Sequence, residues 1–148
     1  MKIVQLSSKT ITGLQVRTKN EDEMNPKVAK IGALWQDFFA NIMSTLGETP
    51  PPLYSVYSNY ESDAHGEFDV TIGAEEVKQT KERASVSLKE GKYLCFTAKG
   101  ELPQAVIETW GEVWAYFADE NCKDVRVYKT DFEKYISRDE AEIYIGVE

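Results

Sequence analysis

Few residues in this chain could do chemistry on their own. The single histidine, His65, lies in a turn beside Gly66, and the two cysteines, Cys95 and Cys122, have neither motif spacing nor a partnering histidine. A histidine-based metal site or a serine–histidine triad is thereby set aside, and the cysteines read as plain thiols. Carboxylates remain. Among them Glu133 stands out, in the run Phe132-Glu133-Lys134-Tyr135, where strand-like alternation sets an acid beside aromatic residues. The turn-prone Ser137-Arg138-Asp139 ends that run and a second alternating run, Glu142 to Val147, follows, so the spacing predicts a C-terminal hairpin. A strand acid is usually exposed, and Lys129 or Lys134 would be its partner in that case.

The elements that must hold Glu133 occur twice. Val56 to Glu75 echoes Val127 to Glu148: each has Val-Tyr, then an aromatic followed by Glu (Tyr60-Glu61, Phe132-Glu133), a turn, and Ile-Gly-x-Glu. Upstream, Trp35 to Phe39 has the aromatic spacing of Trp110 to Trp114, and each follows a proline, Pro26 or Pro103. We read an internal duplication over approximately residues 9–77 and 90–148 of a single domain, each half being strand, helix, strand, strand. Glu61 is then the counterpart of Glu133, but it adjoins a polar turn and is expected at the surface.

Coarse patterning fills in the rest. Lys2–Leu6 and Ile11–Arg17 alternate as short strands, the first a lead-in. Asn25-Pro26 predicts the start of a first helix, whose apolar positions run from Val28 to Met43 before Gly47 and Pro50–Pro52 end it. Leu53–Tyr60 and Glu67–Ile72 read as strands, and the charged stretch 75–89 as the solvated connection between halves. Lys92–Ala98 opens the second half, and a helix from about Pro103 to Ala118 presents Ile107, Trp110, Val113, Trp114 and Phe117 at helical spacing.

With 148 residues, 42% of them hydrophobic and 28% charged, the chain is expected to be globular rather than disordered. Its net charge of −8 argues against direct nucleic-acid binding, which needs clustered lysine and arginine, and favours cationic partners. No apolar run is long enough for a bilayer and no signal-peptide pattern opens the chain, so the expected location is cytoplasmic.

The order of these elements, together with Phe132-Glu133-Lys134-Tyr135 and the terminal Ile143-Tyr144-Ile145, resembles the GyrI-like effector-binding domain. That domain is the ligand-sensing half of AraC-type and MerR-type multidrug regulators, and it also occurs alone. The resemblance covers essentially all of the chain. It implies an α+β fold, with duplicated strand-helix-strand-strand units related by a pseudo-twofold and two main helices packed on an antiparallel sheet. It also implies a cleft between the halves, lined by aromatics and floored by one buried glutamate, at the position of Glu133. Trp110 begins the aromatic stripe of the second helix, and Tyr57, Phe68 and Tyr144 lie in strands the family places around its pocket. Trp35 and Trp114 are further candidates, although aromatics at helical spacing commonly serve as core.

A carboxylate among aromatic rings suits a lipophilic cation. The first expectation is therefore a stand-alone, non-enzymatic effector-binding domain that needs no cofactor, metal or membrane. Two alternatives stay open: a hydrolase of strained electrophilic small molecules with the same glutamate as general base, and a module that binds a protein partner or forms a homodimer.

Overall fold

The alternating runs pair, in a computed structural model describing residues 1–148, into one eight-stranded sheet. Its strands are β1 (Lys2–Leu6), β2 (Lys9–Thr18), β3 (Leu53–Ser58), β4 (Phe68–Ala74), β5 (Ala84–Leu88), β6 (Gly91–Lys99), β7 (Arg126–Ser137) and β8 (Glu140–Val147). Three α-helices accompany them: a single turn α1 (Asn20–Glu23), α2 (Ile31–Asn41) and α3 (Gln104–Ala118), with a 3-10 turn at Met43–Leu46. Every strand pair is antiparallel, in the order β1-β6-β8-β7-β3-β4-β2-β5. Exchanging β1 with β5, β2 with β6, β3 with β7 and β4 with β8 turns that order into its own reverse. The pseudo-twofold therefore passes between β3 and β7, and each lead strand pairs with the other half: β1 with β6, β5 with β2.

Two elements depart from the sequence reading. The first long helix starts at Ile31 rather than at Pro26. Asn25 Oδ1 accepts from the Lys27 amide in a local turn, and the real cap is remote, because the Glu23 carboxylate accepts from the amides of Lys30 and Ile31. The connection 75–89 also holds a strand, β5, whose Ala84, Val86 and Leu88 alternate with serines and pair with β2.

The two main helices cover the flanks of one sheet face. Helix α2 packs on β2 and β4 with Leu34 and Phe38 buried, and α3 on β6 and β8 with Ala105, Val106, Thr109 and Val113 buried. The central pair β3–β7 is left beneath the gap between them. On the opposite face Ile11, Tyr54, Val56, Leu88, Tyr93 and Phe132 form a separate core.

Gly13 of β2 and Gly73 of β4 are paired in register, where the backbones leave no room for a side chain. A Cβ on Gly73 would lie 2.0 Å from the Thr12 carbonyl oxygen, so a side chain there forces backbone apart. Gly111, in the middle of α3, has open space at the same position. Chemical denaturation should accordingly find Gly73→Ala less stable by about 2–3 kcal/mol, and Gly111→Ala more stable by roughly 0.5–1 kcal/mol.

Candidate functional site

Strand parity selects the side chains that face the gap. Ser55 and Tyr57 of β3 lie opposite Glu133 and Asp131 of β7, and Leu53 opposite Tyr135, so these six share the helix-side face. A cavity of about 1150 Å³ lies over this face. Its floor includes Leu53, Tyr57, Glu133 and Tyr135, while α2 contributes Ile31, Trp35 and Phe39 and α3 contributes Val106, Trp110 and Trp114.

Glu133 is only 4% exposed, and no lysine or arginine pairs with it. Three neutral donors hold its carboxylate instead. Tyr57 Oη and Trp110 Nε1 each donate to Oε2 at 2.7 Å, and Tyr135 Oη donates to Oε1 at 2.5 Å. Hydrogen bonds to a charged group contribute about 1.5–3 kcal/mol each, whereas burying an ion costs several. Burial wins: it pushes the Glu133 carboxyl above its ordinary range, against the lowering effect of Tyr135, Tyr57 and Trp110. Burial, then the neighbouring Glu133 charge, keeps the Tyr57 and Tyr135 hydroxyls well above the usual phenol range, so both remain donors.

The rings form a connected wall. Tyr57 meets Trp110 edge-on at 5.7 Å and Phe68 at 5.6 Å, Trp35 meets Tyr135 edge-on at 5.2 Å, and Trp110 lies 6.1 Å from Trp114. Trp114 is 48% exposed and marks the rim, with Ile107 and Phe39 also exposed there. Helix α3 achieves this because small residues, Ala105 and Thr109, seat it on the sheet and turn the Trp110–Trp114 stripe towards the cavity. The Thr109 hydroxyl is satisfied within the helix by the Ala105 carbonyl.

Of the residues singled out from sequence, Glu133, Trp110, Tyr57, Phe68, Trp35 and Trp114 all border this one cavity. Tyr144 does not. It pairs with Phe132 in the β7–β8 ladder, so its ring stacks on Phe132 at 4.6 Å on the far face of the sheet, and its hydroxyl bonds Glu142. Glu61 is exposed in the turn after β3. Tyr135 joins the wall as well, and its position two residues beyond Glu133 on one strand is the sequence signal for that shared face.

A family model described as a GyrI-like small molecule binding domain matches residues 1–148. An integron cassette protein from the mobile metagenome of Vibrio cholerae is 43% identical, with a TM-score of 0.93 over 99% of this chain and 95% of its own. A proposed bacterial transcription regulation protein from Staphylococcus aureus MU50 shares the fold at 20% identity and TM-score 0.77, over 99% of this chain and 97% of its own. The structure of SAV2435 bound to tetraphenylphosphonium shares it at 17% identity and TM-score 0.72, over 99% and 93%. No curated protein matches.

The raised Glu133 carboxyl has a definite consequence for stability. A group whose folded pKa exceeds its unfolded value binds more protons in the folded state, so stability falls as pH rises from the unfolded value through the folded one. Glu133→Gln has no charge to bury and lacks that loss. Denaturation midpoints measured from about pH 4 to about pH 8 should show the stability of the variant relative to wild type increasing with pH.

Proposed function

We propose, from the premise that this chain belongs to the GyrI-like family of small-molecule binding domains, that its cavity captures amphipathic cations with Glu133 as counter-charge. The observation that carries this reading is the buried carboxylate held by neutral donors alone. A cation entering the cavity would supply the missing opposite charge in a setting where water screens it little.

The aromatic wall supplies the remaining affinity. A cation over a ring face gains about 0.5–2 kcal/mol per contact, and Tyr57, Trp35, Trp110 and Trp114 border the same cavity as the acid. Because both carboxylate oxygens already accept hydrogen bonds, a ligand needs charge more than it needs N–H donors. Quaternary and delocalised cations with flat or bulky apolar surface fit that requirement. The net charge of −8 assists by concentrating cations near the protein. SAV2435 shares the fold and its structure holds tetraphenylphosphonium, which makes that compound a natural probe.

Tryptophan fluorescence reports directly on the site, since Trp35, Trp110 and Trp114 border the cavity. Titration with tetraphenylphosphonium should give saturable quenching, and tetraphenylmethane-like neutral or tetraphenylborate anionic analogues should give none. Glu133→Gln should weaken the phosphonium about tenfold or more, corresponding to roughly 1.4 kcal/mol. The probe should be recovered with its mass unchanged, whereas an altered mass would point to hydrolysis.

A further inference from the structure

Two residues before Glu133, on the same face of β7, Asp131 is fully buried and meets a different set of partners. Tyr60 donates its hydroxyl to Oδ2 at 2.5 Å, Arg126 donates Nη2 to the same oxygen at 2.7 Å, and the Gly146 amide donates to Oδ1 at 2.8 Å. Asp131 therefore has a cation of its own and does not compete with Glu133 for a ligand's charge.

Arg126 is the member with capacity to spare. Its side chain is 9% exposed, its guanidinium lies 4.4 Å from the Tyr128 ring centre and 5.8 Å from that of Phe117, and it borders the same cavity as Glu133. A guanidinium carries five N–H donors in a rigid fork and accepts nothing. Within the fold Asp131 Oδ2 is its acceptor, and Nε is buried with none. Nη1 makes no hydrogen bond within the fold and is not among its buried atoms, so it is the donor that a molecule in the cavity can reach. The β7–β8 ladder slips between Arg126 and Asp131, and that irregularity lets residues five apart on one strand meet side by side.

We propose that Arg126 is a second anchor of the cavity, taking a neutral hydrogen-bond acceptor, such as a carbonyl or ether oxygen, on the uncharged arm of a cationic ligand. This deepens the cation-capture reading and rests on it. The acceptor is neutral because Asp131 already balances the guanidinium: an anionic group would meet that carboxylate as it met the arginine, whereas a carbonyl oxygen takes the spare N–H without that opposition. Asp131 and Glu133 are two residues apart on a strand, a separation of about 7 Å, so the arm need be only a few bonds long.

The test uses two phosphonium ions of the same charge and shape, (4-oxopentyl)triphenylphosphonium and (4-methylpentyl)triphenylphosphonium. Each is titrated against wild type and against Arg126→Lys, which keeps a cation for Asp131 but removes the fork. The ketone is expected to bind wild type about tenfold more tightly than the hydrocarbon, and the two to bind the lysine variant alike. Equal affinity for wild type, or a ketone advantage that survives in a folded lysine variant, overturns the anchor while leaving cation capture intact. Failure of both to bind wild type overturns cation capture and the anchor with it. The Arg126 Nη1–H resonance of wild type gives a reading that does not depend on the variant's folding. It should move with the ketone and stay with the hydrocarbon, and an identical response to both overturns the proposal.

Discussion

The structure turns on a carboxylate buried without a cation. Glu133 sits at the seam of the two halves, and its three donors come from three elements: Tyr57 on β3, Tyr135 on β7 and Trp110 on α3. If β3 slipped by one residue against β7, Tyr57 would turn to the opposite face and the acid would lose a donor. The same residues that make burial tolerable also form the wall of the cavity. Support for the acid and construction of the cavity are thus one arrangement.

The cavity follows from where the helices rest. Each packs on the two outer strands of its own half, which leaves the central strands uncovered between them. Ala105 and Thr109 are among the buried residues that seat α3 on β6 and β8, while Trp110 and Trp114 border the gap. The exposed rings at the rim, Trp114 and Phe39, belong to opposite helices.

Much of the fold was legible because strands and helices announce themselves by period. The strand-helix-strand-strand order, the C-terminal hairpin and the span of α3 came from alternation, capping and breakers. The start of α2 was hidden because its capping carboxylate, Glu23, lies outside the local window in which a cap is sought. Strand β5 was masked by surrounding lysines and glutamates, although its own five residues alternate. Within the site, type and spacing singled out Glu133 and the ring-bearing helix positions as candidates, whereas the burial of Glu133 was implied by the resemblance to the GyrI-like domain, since alternation alone leaves a strand acid exposed. Tyr144 was misplaced because strand membership does not settle the face. That depends on the β7–β8 register, which shifts near the turn between Tyr135 and Ser137. The Arg126–Asp131 pair was out of reach for a related reason, since it forms across another slip in the same ladder.

Where a bound cation sits relative to Glu133 is the decisive observation. A crystal structure of the protein with tetraphenylphosphonium would measure this directly. The expected result is a phosphorus atom inside the cavity within about 6 Å of the neighbouring ring centres, on the open side of a Glu133 carboxylate that stays buried and keeps its Tyr57 and Tyr135 hydrogen bonds. A phosphonium seated on the outer surface or on the far face beside Tyr144, with the Glu133 cavity unaltered, would contradict it.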